Sequence, residues 1–219
     1  MEKSTFSKWT LTKLEKAFEL KQVWKSPIMQ EWEQMTADIS EFEKQHLEML
    51  RNRVEKGGKA WNETELENKF ISPLIILAGI DTDEFGYFLE RNMQGIVGNY
   101  DLSGIVDGVI ATGIREPDLP FFCMHEYKRS VDNEGNPDGQ ALAAMLVARE
   151  QNKEHNKAHK NGIENPIYGL YIVGLIWNFI VLNGSEYCIS KDYNASTQEI
   201  FDIFRIMKNI KVIIQTKLM

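Results

Sequence analysis

Charges inside apolar runs constrain this chain more than any other feature. Ile105-Val106-Asp107-Gly108-Val109-Ile110 is one such run, and Phe121-Phe122-Cys123-Met124-His125-Glu126-Tyr127-Lys128 is the next. Both read as β-strands, being short and rich in β-branched and aromatic residues. A strand covered on both faces has no inexpensive place for a charge, so Asp107, Glu126 and Lys128 need a reason to be there. Side chains alternate along a strand, which puts Glu126 and Lys128 on one face. If the two strands pair, Asp107 stands roughly 5 Å away across the ladder.

Two carboxylates and a lysine converging on one point suit a divalent-metal site with a base beside it. Hard oxygen ligands favour Mg²⁺, which keeps several waters and takes one or two carboxylates. Asp107 and Glu126 are the expected ligands, with the backbone carbonyl of Tyr127 as a third. Lys128 is expected to orient or deprotonate a water, or to stabilise charge on a phosphate. Partial burial beside a metal lowers a lysine pKa, as a base requires.

The chain has 219 residues, enough for one domain with a sizeable core. Cys123 and Cys188 are its only cysteines, and both sit in apolar stretches where a small buried hydrophobe is expected. No apolar leader follows Met1, and the apolar stretch from Ile163 to Ile189 is interrupted by Glu164, Pro166, Gly184 and Glu186. The expectation is a cytoplasmic protein without a membrane span, in which the sequons at Asn62, Asn183 and Asn194 are chance matches. The net charge of −7 argues against a general nucleic-acid coat. The acid is concentrated: residues 61–135 carry a net −9, in the segment that holds the candidate site.

The first 60 residues are helical in pattern. Thr10 is placed to cap a helix over Leu11, Leu14, Phe18 and Leu20. A second helix is expected over about 39–54, with Phe42, His46, Leu47 and Leu50 on one face, a Ser40/Glu43 capping box and a stop at Gly57-Gly58. A third starts near Asn62, bends at Pro73 and closes at Gly79. Strands are expected at 85–97 and 100–111 around a Gly98-Asn99 turn, at 120–128, and at 167–176, 179–182 and 187–189. Residues 132–139 read as a loop, 140–151 as a helix, and 153–165 as a mobile hydrophilic tract. Ser196 or Thr197 is expected to cap a final helix. This order gives an α/β sandwich with a mixed sheet. No glycine-rich phosphate loop, Walker lysine or nucleophile elbow is present.

The arrangement of Asp107 followed by Glu126-Tyr127-Lys128 resembles the PD-(D/E)XK nuclease superfamily, which includes many restriction endonucleases. Upstream, Asn62-Glu63-Thr64-Glu65-Leu66-Glu67 and Phe70-Ile71-Ser72-Pro73-Leu74 resemble the first helix of such domains, as in the nuclease domains of type I restriction subunits. The resemblance implies that a helix glutamate completes the metal site. Glu63 matches best, and Glu67, one turn later, is the alternative. Downstream, Gly139-Gln140 opens the next helix, where some branches place a functional glutamine. The likeness spans roughly residues 60–190 and is similar to a bacterial branch with the same helical preface. The "PD" is not literal, since Val106 precedes Asp107.

The resemblance implies a restriction-endonuclease-like mixed β-sheet core flanked by helices over 60–219, with an N-terminal helical extension over 1–59. It implies a Mg²⁺- or Mn²⁺-dependent nuclease acting on DNA, in restriction, defence or repair, with RNA as an alternative substrate. Glu63, Asp107 and Glu126 would hold metal, Lys128 would serve the water, and Gln140 would position the nucleophile or the backbone. The competing expectation is a catalytically silent nuclease-like module for binding or assembly, a homo-oligomer or a subunit of a partner complex. His155 and His159 have helix-compatible metal spacing but sit in a polar tract that reads as surface. His125, Trp61 and Trp177 read as packing residues.

Overall fold

The computed structural model describes residues 1–128, 136–159 and 164–219. Residues 132–135 of the expected loop and 160–163 of the expected hydrophilic tract lie outside the described residues, and Pro137–Gly139, expected in the loop, form the start of the following helix. Among the described residues nine strands form one mixed sheet in the order β1-β4-β5-β6-β7-β8-β2, with β3 on β4 and β9 on β7. Their ranges are β1 Glu2–Thr5, β2 Lys21–Gln22, β3 Phe85–Val97, β4 Tyr100–Thr112, β5 Asp118–Lys128, β6 Ile167–Val173, β7 Ile176–Asn183, β8 Glu186–Ile189 and β9 Tyr193–Asn194. β1/β4, β5/β6 and β2/β8 are parallel and the other pairs antiparallel. The helices are α1 Leu11–Phe18, α2 Pro27–Gln34, α3 Glu41–Gly57, α4 Glu63–Leu66, α5 Ser72–Ala78, α6 Pro137–His159 and α7 Ile200–Ile213. α6 and α1 cover one face of the sheet, and α2, α3, α5 and α7 pack in the core on the other. The protein is therefore mixed α/β, a mixed sheet flanked by helices. Among the described residues no helix is long and apolar enough to cross a membrane.

Local chemistry explains most of the elements. Thr10 Oγ1 accepts the Lys13 N–H and starts α1. Ser40 and Glu43 form the expected reciprocal capping box at α3. Pro73 has no N–H to donate, and just before it the helix widens into a π turn over Glu67–Ile71 before resuming as α5. Gly79 then ends α5 at φ 64°, a left-handed conformation that costs glycine little.

Several expectations change. The N-terminal residues are not all helical: β1 and β2 join opposite parts of the sheet, and Trp32 of α2 is fully buried in the main core. Phe42 does not share the buried face of Leu47 and Leu50, but stands 63% exposed against the His46 ring. α6 continues to His159 through the tract expected to be mobile, and just before that tract its Asn152 amide satisfies both backbone groups of Phe121 on β5. The strand expected over 167–176 breaks at Gly174, φ 62°, which turns β6 into β7. At α7 neither Ser196 nor Thr197 caps the helix, since both hydroxyls bond to Asn194.

The β3–β4 hairpin has one irregularity that matters. Phe85 and Tyr87 pack toward the α5–α7 side, whereas Met93 and Val97, at the same parity, pack toward α6. On β4, Leu102 and Val106 face α6, and so do Val109 and Ala111 of opposite parity. Both strands thus shift their alternation at one place. That place is Glu90, at φ 49°, in the left-handed region that a glutamate rarely adopts. Leu89 pairs with Gly108 and Arg91 with Val106, so Glu90 lies opposite Asp107.

Candidate active site

A cleft of about 390 Å³ opens beside this shift, lined by Glu63, Thr64, Glu67, Glu90, Ile105, Asp107, Glu126, Tyr127, Lys128 and Gln140. Every residue singled out from sequence as a metal ligand or catalytic group lines it. Four elements supply them: the α4 turn, β4, the end of β5 and the first turn of α6. Gly108 pairs with His125, which carries Asp107 opposite Glu126 as expected from paired strands. Asp107 Oδ2 accepts the Tyr127 N–H at 2.6 Å. The N–H and C=O of an extended residue point the same way, so the Tyr127 carbonyl also turns toward the cleft. Lys128 Nζ lies 3.0 Å from Glu126 Oε1 and 3.5 Å from Glu63 Oε1. Glu63 and Glu67 both line the cleft, and Glu63 is the one paired to the lysine.

The electrostatics follow from crowding. Five carboxylates face one described cation, Lys128. Burial pushes the Glu126 carboxyl well above the usual range, Asp107 pushes it further, and Lys128 opposes both. Burial likewise raises Asp107, against the Tyr127 N–H and Lys128. Glu67 is raised by burial and by Asp107, Glu90 and Glu63. Lys128 is pulled both ways. Burial pulls its pKa down, but Glu126, Asp107 and Glu63 outweigh that and raise it. With these carboxylates around it and no metal bound, the raised pKa favours the ammonium form of Lys128.

Beneath the site lies a buried polar cluster. His125 is 1% exposed and its Nδ1 is 3.0 Å from the Tyr127 hydroxyl, which in turn bonds to the Tyr87 hydroxyl. It is a packing residue, as read from sequence, although its Nε2 has no partner. Burial holds its imidazole neutral, with a pKa pulled down to about 3. Trp177 is buried, while Trp61 is half-buried at the edge of the core with Lys69 over its ring. Cys123 and Cys188 are buried free thiols.

Sequence reasoning missed Glu90, Thr64 and Ile105. A signal for Glu90 existed. A two-residue turn at Gly98-Asn99 sets Val97 against Tyr100, and counting back along that register brings Glu90 to Asp107.

Among the described residues no three Asp, Glu, His or Cys side chains group so as to hold a metal ion. The donors are nevertheless the hard oxygens that Mg²⁺ prefers, and that ion asks for only one or two carboxylates beside its waters. The cleft's excess negative charge also fits a cation. No family model matches this chain, and no curated protein is similar to it.

Proposed function

We propose that this protein is a Mg²⁺-dependent nuclease of restriction-endonuclease-like fold that hydrolyses DNA phosphodiester bonds. The observation that carries the reading is the convergence of Glu63, Asp107, Glu126, Lys128 and Gln140 from four separate elements on one cleft. Surface charge pairs do not require such an assembly, and a buried Glu126 carries a desolvation penalty that a structural ion pair seldom returns. Asp107 and Glu126 would hold the ion, with the Tyr127 carbonyl beside them and Glu63 or Glu67 reaching it through water. The ion when bound would polarise the phosphoryl oxygen and lower the pKa of a water. Lys128, held protonated by its carboxylate neighbours, would bind a non-bridging phosphate oxygen and offset charge that builds there. Gln140 offers an amide donor and acceptor to orient the attacking water or the backbone. The tight Tyr127 N–H bond to Asp107 keeps that carboxylate in one rotamer, so its second oxygen is left for the ion.

The test is cleavage of plasmid and single-stranded DNA with Mg²⁺ or Mn²⁺, wild type beside Asp107→Ala and Lys128→Ala. Cleavage should fall by about 10²-fold or more in each variant. A wild type that neither cleaves nor gains thermal stability from Mn²⁺ would replace this reading with a catalytically silent nuclease-like module.

A further inference from the structure

A second groove, of about 530 Å³, lies at the N-terminus and is lined by Glu2, Ser4, Lys8, Trp9, Lys13, Lys16, Ala17 and Tyr100. Lys13 and Lys16 stand one turn apart on α1, so their side chains lie on one helix face. Lys13 Nζ donates to the Lys8 carbonyl at 2.8 Å, which ties the loop before α1 to the helix. None of the three lysines forms an ion pair among the described residues, and all three are exposed. The one carboxylate of α1, Glu15, turns elsewhere and accepts from the Tyr187 hydroxyl on β8. Glu2 is the one acid on the lining. The wall is aromatic, with Trp9 6% exposed and packed edge-on to Tyr100 at 5.0 Å, its indole N–H without a partner among the described residues.

The place of this groove gives it meaning. Gly139 sits so close to Trp9 that an added Cβ would overlap the Trp9 carbonyl oxygen and crowd Thr10 Cα. The next residue, Gln140, lines the carboxylate cleft. Trp9 of the lysine groove and Gln140 of the acidic cleft are therefore near neighbours at the first turn of α6. Residues 1–25 carry six lysines against three glutamates in a chain whose net charge is −7. A polyanion is repelled by the molecule as a whole and needs a local cationic surface to dock.

We propose that Lys8, Lys13 and Lys16 form the nucleic-acid docking groove, gripping backbone phosphates that flank the phosphodiester held in the carboxylate cleft. This rests on the nuclease reading of that cleft for the identity of the polyanion. The contacts are to phosphates, so they position the strand and read no sequence.

The test is fluorescence anisotropy of a labelled 30-bp DNA duplex in EDTA across a salt series, with wild type and the full-length K8A/K13A/K16A variant. Losing the exposed Lys13 bond to the Lys8 carbonyl costs on the order of 1 kcal/mol, so the variant is expected to stay folded with its Tm within about 4 °C of wild type. The variant should bind at least tenfold more weakly at 50 mM salt. Its slope of log K against log salt should be shallower by about 2–3, the loss of three phosphate contacts. Unchanged affinity and slope would overturn the proposal, as would an unlabelled poly-glutamate peptide that displaces the duplex at equal charge concentration. Plasmid cleavage in Mg²⁺, run beside it, reads the cleft separately. Lysine-dependent duplex binding without cleavage would end the nuclease reading and leave the docking groove standing.

Discussion

At the residue scale, the site is a place where stability and chemistry conflict. Glu126 is 5% exposed and faces Asp107, with Lys128 only partly offsetting both. Its carboxyl is raised, so the folded state holds the proton more tightly than the unfolded chain does. That stabilising contribution is complete below the ordinary glutamate pKa and is lost as pH rises through the folded value. At alkaline pH the fold must bury the charge. Glu126→Gln is therefore expected to unfold at higher denaturant concentration than wild type near pH 8.5, by about 0.5–2 kcal/mol. The gain should vanish near pH 4, where the residue is protonated in both states. Urea titrations at the two pH values check this, and a variant less stable than wild type at both would show that Glu126 holds the fold together rather than the site. His125 works in the opposite direction. Its neutral buried imidazole favours folding fully above pH 6.5, and that contribution is lost as pH falls toward 3.

At the element scale, the cleft depends on how α6 is seated. Its start is fixed by the bare Cα of Gly139 against the backbone of Trp9 and Thr10, and its far half by the Asn152 amide on Phe121. Gly139→Ala is expected to cost about 1–3 kcal/mol, because backbone rather than a flexible side chain would have to move. The shift would also displace Gln140, so thermal unfolding and cleavage should both suffer. A wild-type Tm would mean that the α1–α6 contact is loose. The hairpin shows the same dependence. One residue in the left-handed region, Glu90, reverses the alternation of two strands and leaves Glu90 and Asp107 together at the mouth of the cleft.

At the scale of the whole molecule, the N-terminal residues are part of one core. Trp32 is fully buried, donates its indole N–H to the Ile206 carbonyl at 2.9 Å, and packs edge-on to Tyr168 and Phe179. β1 and β2 close two exposed stretches of the sheet. A chain limited to residues 60–219 is expected to lack a cooperative thermal transition, since it would leave a Trp-sized void and two bare strand edges. Calorimetry on that fragment decides the point. A sharp transition near the full-length Tm would establish residues 60–219 as an independent domain.

Much of this protein was legible in its sequence, for reasons that are local. The hairpin register follows from a two-residue turn, the caps at Thr10 and Ser40 from side chains within reach of their own helix, and the Asp107–Glu126–Lys128 cluster from strand alternation. What stayed hidden needed contacts between distant residues. The seating of α6 on the sheet rests in part on an Asn152 amide matched to Phe121, 31 positions away. The upward pull on the Lys128 pKa comes from Glu126 and Asp107 and also from Glu63, 65 positions earlier. Local sequence determines which conformations and charges a segment can offer. Only the tertiary structure decides which of those charges meet out of water, where their mutual repulsion and burial set the chemistry.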